Sequence, residues 1–348
     1  MFVYWMMFFI PVFALFYPLR MTADARDWMW RAICVLFIFI IGLRFEVGGD
    51  WYSYLDNYQA ALGESFSDAI VLSDPGYALL DWLSASLGLG VYAVNFVCGA
   101  VVMTGVYYFC RRQPQPWLAL AVAIPYMLIV VAMGYTRQSV ALGFELLALV
   151  ALSNGRLSRF IFFIACAGLF HKSAVLLLPL GILSSTHRKI WVILSMVGMS
   201  VLLGGALLLE HYEALMVNYV GEKMESEGGA IRVIMNAVPA AIFLLFAKRF
   251  APDENERKLW FWMAIFSLVC VPLVGLASTA VDRVALYFLP IQLFIYSRIG
   301  CLFRNPIYKT LAMLTVVAGY GLVEWVLLNK ATFVSVYWVP YNNAAFFW

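Results

Sequence analysis

The stretch ICVLFIFIIGLRFEVGGDWYSY, residues 33–54, joins a continuous apolar run to a short cluster of charge. Three charged residues lie within a stretch of seven, directly after the run ends: Arg44, Glu46 and Asp50. An apolar run of this kind predicts a helix in lipid or in a large core, where charged groups are costly. The charged residues at the end of the run are therefore candidates for a polar functional site.

The composition of the whole chain is that of a membrane protein. Hydrophobic residues make up 64% of the 348 residues and charged residues only 12%, about half the ~25% of a soluble domain. We therefore predict one all-α, polytopic integral membrane domain over residues 1–348. The six cysteines lie within or beside apolar runs, where thiols behave as small hydrophobic groups, so neither disulfides nor a metal site is expected.

Apolar runs flanked by Lys or Arg predict about twelve transmembrane helices, including short or broken ones. Two short segments meet at His171, which suggests a broken pair. The predicted segments are 1–19, 28–43, 91–110, 115–134, 137–153, 158–170, 172–184, 189–209, 232–248, 259–278, 284–299 and 309–328.

The placement of basic residues predicts the orientation of these helices. Most of the 23 lysines and arginines fall in alternate loops, which the positive-inside rule assigns to the cytoplasm. Two long loops, 44–75 and 210–230, and the tail 329–348 are then on the outer face. So are four separate charged points: Arg44 to Asp50, Arg137-Gln138, His171-Lys172 and Asp282-Arg283. We expect these four points to meet in one outward cavity.

Such a cavity could neutralise a diphosphate without a metal ion. The candidate cations are Arg44, Arg137, Lys172 and Arg283, and the candidate bases are Glu46, Asp50, His171 and Asp282. Each also has a structural interpretation: Arg44 as an interfacial anchor, Arg137 in an ion pair with Glu145, His171 as a hydrogen-bonded core residue, and Asp282-Arg283 as a helix cap with a local ion pair.

Aromatic side chains beside polar groups suit sugars, because a ring stacks on C–H surface while oxygens meet hydroxyl groups. The alternative is an ordinary interfacial aromatic belt. The candidate sugar-binding residues are Trp51, Tyr54, Gln138, Tyr219 and Tyr341.

Five short stretches, in this order, resemble the Wzy-type polysaccharide repeat-unit polymerases, specifically their EpsG-like branch. They are RFEVGGDWYSY at 44–54, TRQSVA at 136–141, FHKSA at 170–174, VDR at 281–283 and WVPY at 338–341.

The resemblance implies a GT-C-like helical bundle in the bacterial inner membrane, with its active site facing the periplasm. It implies a cofactor-free glycosyltransferase that polymerises undecaprenyl-diphosphate-linked repeat units of O-antigen or exopolysaccharide. Its partners would be the lipid-linked glycan donor and acceptor, membrane lipids and a chain-length regulator protein, with no nucleic acid.

On this hypothesis Arg44, Arg137 and Arg283, assisted by Lys172, bind the donor diphosphate, and His171 or Asp50 is the general base. Three other functions remain open at this point. They are an O-antigen ligase, a transporter or flippase for lipid-linked sugars, and a membrane acyltransferase acting on sugars.

Overall fold

The computed structural model describes residues 1–17, 21–184, 194, 198, 228–276 and 278–346. Within these ranges the regular elements are all helices, and the one extended pairing is an isolated bridge between Arg44 and Asn343. The prediction of an all-α protein is confirmed for the described residues. Most of the predicted segment 189–209 and most of the predicted loop 210–230 lie outside them.

Sixteen helices can be numbered in these ranges. They are α1 Phe2–Phe16, α2 Ala23–Gly42, α3 Trp51–Ala60, α4 Phe66–Ala69, α5 Pro75–Ser86, α6 Val91–Cys110, α7 Pro116–Gly134, α8 Thr136–Ser153, α9 Leu157–Phe170, α10 Lys172–Ser184, α11 Gly229–Phe250, α12 Glu254–Leu273, α13 Ser278–Phe288, α14 Pro290–Tyr296, α15 Pro306–Asn329 and α16 Thr332–Tyr337.

The structure does not confirm twelve transmembrane helices. Four described helices, α6, α7, α11 and α15, are long and apolar enough to cross a membrane, and the bent pair α13 and α14 would make a fifth. A hydrocarbon core about 30 Å thick needs about 20 helical residues. The apolar helices α1, α9 and α10 are shorter than that, so their length does not establish that they cross a membrane completely.

The centre of the bundle is α7, whose residues are almost all buried. Its middle turns, Ile124–Val131, form a π-helix that contains Pro125. Proline cannot donate a backbone hydrogen bond, and wider π turns are one way in which a helix accommodates it. The extra turn width changes which side chains face each neighbour, and Tyr126 faces the cavity described below.

The C-terminal segment packs against the loop that carries Asp50. The backbone N–H of Gly48 donates to the carbonyl of Tyr337 at 2.9 Å, and that of Ala344 donates to Leu43 at 2.7 Å. Trp338 is fully buried and donates its indole N–H to the carbonyl of Ile129 in the π-helix at 2.8 Å. The tail therefore fixes the loop to the central helix.

The chain is interrupted at His171, as the sequence predicts. His171 has extended backbone angles, φ −155° and ψ 108°, between the end of α9 and a 3₁₀ turn that opens α10. An extended residue between two helices turns its side chain out of the helical pattern. His171 is thereby directed toward the cavity at the end of the bundle.

Substitution of Gly48 by alanine tests the packing of this loop. Gly48 has φ +108°, and an added Cβ would lie 2.2 Å from the carbonyl oxygen of Met133. Gly63 also has positive φ, +80°, but nothing lies within 4 Å of its added Cβ. Backbone strain of about 1–2 kcal/mol is common to both variants, whereas only Gly48→Ala adds a collision.

We therefore expect Gly48→Ala to lower the midpoint of thermal unfolding in detergent clearly more than Gly63→Ala does. Equal losses would show that the loop is not held tightly against α7.

Candidate functional site

Residues from all four charged points of the sequence line one cavity of ≈ 160 Å³. This convergence is the central observation on the site. The described lining residues are Asp50, Tyr54, Tyr126, Tyr135, Arg137, Gln138, His171, Thr279, Asp282, Arg283 and Leu286.

Asp74 organises one wall of the cavity. Its carboxylate accepts from Arg137 Nη1 at 3.0 Å and lies 3.9 Å from Nδ1 of His171. Arg137 stands in the first turn of α8, and its Nη1 also donates to Ser73 at 3.2 Å. A carboxylate shared by a guanidinium and an imidazole fixes the relative position of both.

The expected alternative, an ion pair of Arg137 with Glu145, is wrong. Arg137 is paired with Asp74 instead, and both carboxylate oxygens of the fully buried Glu145 have no hydrogen-bond partner among the described residues. Glu145 lies on α8 eight residues beyond Arg137. Two full turns of helix put it too deep to reach a guanidinium at the helix end.

Asp282 lines the cavity and pairs with Arg232. The guanidinium of Arg232 is bidentate, with Nε donating to Oδ1 of Asp282 at 2.6 Å and Nη2 donating to Oδ2. Arg232 also lies 5.7 Å from the ring centre of Tyr126. This bidentate contact fixes the position of the Asp282 carboxylate. The role of Asp282 as a base stays a prediction.

Arg283 and Asp50 are two further charged residues in the lining of the cavity. Arg283 is exposed, and within the described ranges no carboxylate lies within salt-bridge distance of it. Asp50 is half-buried at the start of α3. Burial raises the pKa of the Asp50 carboxyl, and the positive charges of Arg283 and Arg137 partly oppose that rise. A carboxylate with a raised pKa is a better proton acceptor.

Two of the predicted sugar-binding residues line the same cavity. The amide of Gln138 donates to the backbone carbonyl of Arg283 at 2.8 Å, which joins α8 to α13. The hydroxyl of Tyr54 accepts from the backbone N–H of Arg137 at 3.4 Å. Both side chains therefore lie beside the cationic groups while also fixing the helices that carry them.

Arg44 is not among the residues that line this cavity. It is fully buried, and its guanidinium donates to the carbonyl of Ile41 at 2.7 Å, to Thr136 Oγ1 at 2.7 Å and to Asn95 Oδ1 at 3.2 Å. Thr136 immediately precedes Arg137. Arg44 thus holds the start of α8 in place, and its predicted role in diphosphate binding stays a prediction.

The remaining candidates lie outside the cavity wall. Glu46 is exposed on the loop, and Lys172 follows His171 at the first turn of α10. Trp51 is buried, with its ring 5.7 Å from the Arg44 guanidinium. The hydroxyl of Tyr341 donates to the carbonyl of Ile40 at 2.8 Å, inside the tail contact. Tyr219 lies outside the described residues.

The sequence pattern misses several residues that build the site. Asp74 and Arg232 look like ordinary loop and helix-end charges, although an acid directly before Pro75 at a helix start is a signal of a fixed position. Tyr126, Tyr135 and Thr279 lie within or beside apolar segments. No group of three His, Cys, Asp or Glu in the described ranges is arranged to hold a metal ion.

A family model described as the EpsG family matches residues 27–343. The chain belongs to the EpsG family. The match covers most of the chain, so the expected resemblance to Wzy-like polymerases is confirmed. Searches of curated proteins and of solved structures found no match.

In this EpsG-family chain, substitution of the buried Arg44 and of the partly exposed Arg137 should change the free energy of unfolding by different amounts. Arg44→Gln leaves buried acceptors without donors, and we expect it to lower the free energy of unfolding by about 2–5 kcal/mol. Arg137 keeps 37% of its side chain exposed, so Arg137→Gln should change stability by no more than about 1 kcal/mol. Thermal unfolding of both purified variants in the same detergent makes the comparison. A stable Arg44→Gln protein would contradict the positioning role.

Proposed function

We propose that this protein is a glycosyltransferase that polymerises undecaprenyl-diphosphate-linked oligosaccharide repeat units, of the O-antigen or exopolysaccharide kind, at the outer face of the bacterial inner membrane. Membership of the EpsG family and the apolar helices support a membrane-embedded polysaccharide polymerase. The substrate and the chemistry rest on the cavity. The observation that carries them is the meeting of Arg137, Arg283, His171 and Asp50 in one place.

The donor diphosphate would lie between Arg137 and Arg283. Arg283 has no carboxylate partner in the described ranges, and Arg137 is already oriented by Asp74. Guanidinium groups suit phosphate oxygens because their N–H donors form a planar fork. Two such groups could neutralise the charge that develops on a departing polyprenyl diphosphate, which is the role a metal ion plays in other enzymes. In this arrangement Lys172 would contribute less to binding of the diphosphate than the two arginines.

The reaction would be a displacement at the anomeric carbon of the donor glycan. A hydroxyl at the non-reducing end of the acceptor repeat unit forms the new C–O bond, while the bond from that carbon to the diphosphate oxygen breaks. The hydroxyl proton passes to a general base, and undecaprenyl diphosphate leaves with the bonding electron pair. His171 and Asp50 are the two groups placed to accept the proton.

The sugars would meet the aromatic part of the wall. Tyr54, Tyr126 and Tyr135 line the cavity beside Gln138. Tyrosine rings and a carboxamide together offer a stacking surface and hydrogen bonds, which are the two elements of sugar recognition. A helical bundle of the GT-C kind, with this cavity on its periplasmic side, is part of the same proposal.

Removal of either cavity arginine tests the diphosphate site. We expect Arg137→Gln and Arg283→Gln each to reduce polymer formation by about 10²–10³-fold, as the loss of a transition-state charge contact does. The assay uses purified protein with lipid-linked repeat units as both donor and acceptor, and product length is read on a gel. Lys330→Gln is the control, since Lys330 is a cation next to Trp325 on α15. Full polymer from both arginine variants would remove the proposal.

The two candidate bases are separated by Asp50→Asn and His171→Gln. The variant that loses the true base should lose most of its rate at neutral pH, whereas the other should keep its substrate affinity and most of its rate. A base must be deprotonated to act, so the wild-type rate should fall as pH drops through the pKa of that group. If Asp50 is the base, this fall is retained in His171→Gln at a pH above the ordinary range of an aspartate, because burial raises its pKa.

A rate that is unchanged in both variants would mean that neither group takes the proton. Transfer of the glycan to a lipid core in place of a second repeat unit would identify a ligase.

A further inference from the structure

Helix α5 exposes its apolar side and buries its polar side. Tyr77, Asp81 and Ser84 recur at helical spacing and are only 0%, 2% and 5% exposed. Leu79 and Leu83 are 37% and 39% exposed. Leu79 follows Tyr77 by two residues, or about 200° around the helix, so the leucine face is opposite to the polar face. A helix that packs on a protein in water has the reverse arrangement.

The exposed apolar surface continues on both sides of α5 and is free of charge. Within residues 75–90 the one charged residue is Asp81, which is buried. A connected apolar patch on a protein surface marks a place where it meets another apolar body. The exposed apolar side chains before, within and after the helix are Val71, Leu72, Leu79, Leu83, Leu87 and Leu89.

The depth of α5 follows from its packing against α6, a helix long enough to cross a membrane. Helix α6 begins at the cavity end of the bundle, since Asn95 in its second turn and Thr136 at the start of α8 both accept from Arg44. Tyr77 belongs to one buried cluster with Cys98. Cys98 is two helical turns into α6, about 10 Å from its start. Helix α5 therefore lies beside the first turns of a membrane-crossing candidate.

The length and the neighbours of α5 indicate what covers its leucine face. Twelve helical residues span about 18 Å, well short of a hydrocarbon core about 30 Å thick, so α5 is too short to cross. It packs against α6 and α9, and both neighbours expose apolar side chains as well. These are Val97 on α6 and Phe162 and Leu169 on α9. The leucine face is thus continuous with the apolar outside of the bundle.

We propose that α5 is inserted, without crossing, into the half of the bilayer on the cavity side, with its leucine face against lipid acyl chains. Hydrocarbon accepts leucine side chains and offers no hydrogen bonds, which explains why Tyr77, Asp81 and Ser84 face the protein. Acyl chains fit better than a second protein because the same apolar surface extends from α5 onto α6. This inference does not depend on the proposed reaction.

Insertion of α5 sets the depth of one cavity wall. Asp74 is the residue directly before α5, and its carboxylate contacts both Arg137 and His171. The wall that these three residues form then lies where α5 enters the bilayer, at the level of the lipid headgroups. A phosphate carried on a lipid tail reaches this wall without leaving the membrane.

Spin labels on the leucine face test the insertion. Leu79→Cys and Leu83→Cys are each labelled in the full-length protein, in nanodiscs, in a background with Cys166→Ser and Cys301→Ser, because the other four cysteines are buried. Collisions with oxygen, which concentrates in hydrocarbon, are compared with collisions with a water-soluble nickel chelate. We expect both labels to collide with oxygen and to lose most of the collisions with the chelate.

Two further labels calibrate the measurement. Leu322→Cys is the lipid control, since Leu322 is 61% exposed on the membrane-crossing candidate α15. Gln59→Cys is the water control, since Gln59 is an exposed polar residue of α3. The two leucine positions should behave as Leu322 does. Each variant is measured at one and at two copies per nanodisc.

Three results would overturn the proposal. Collision with the chelate as frequent as at Gln59 would show that the leucine face meets water. Exclusion of both reagents at one copy per disc would show that another part of this chain covers it. Exclusion of both reagents at two copies per disc alone would identify a second copy of the chain as the partner.

Discussion

The buried guanidinium of Arg44 is the contact on which the arrangement of the site depends. Arg44 is removed from water, and its two terminal nitrogens donate to acceptors on three different segments, while its Nε has no hydrogen-bond partner among the described residues. Ile41 lies in the last turn of α2, Asn95 belongs to α6 and Thr136 begins α8. These segments are far apart in the sequence. Their common contact fixes the point from which α8 projects Arg137 into the cavity.

The loop after Arg44 is held from its other side by the C-terminal segment. Backbone bonds from Gly48 and Ala344 and the buried ring of Trp338 connect this loop to the end of the chain and to the π-helix. Asp50 is therefore positioned by contacts that involve residues about 290 positions away, a separation visible in the pairing of Gly48 with Tyr337. The first and last parts of the described chain form one support for the cavity.

Much of the site could be inferred from the sequence, because basic residues report which loops share a side of the membrane. That rule placed Asp50, Arg137, His171 and Arg283 together before any geometry was known, and the cavity contains all four. The rule does not report how deeply a side chain is buried. Arg44 and Arg137 both stand at helix ends, yet one is fully buried and the other is one-third exposed. Only the surrounding helices determine which of them can meet a ligand.

The partners of the site residues were harder to infer for the same reason. The sequence around Arg232 does not indicate its partner, and the only local signal at Asp74 is its place directly before Pro75 at a helix start. The number of complete crossings stays a prediction, because an apolar run shows only that a segment is buried, whether in lipid or against other helices. Helix α7 illustrates this, since its apolar sequence fits a lipid-facing helix and yet it is buried by its neighbours almost entirely.

Pairing of charges explains how so many ionisable groups can share a small volume. Asp74 balances Arg137 and Arg232 balances Asp282, so one arginine and one carboxylate of the cavity wall are compensated within the protein. The charges that remain in the described wall are Arg283 and Asp50, of opposite sign. A ligand that carries negative charge would satisfy Arg283 and would raise the proton affinity of Asp50 still further. Binding of a diphosphate would thus make the neighbouring carboxylate a stronger base at the moment when an acceptor hydroxyl has to lose its proton.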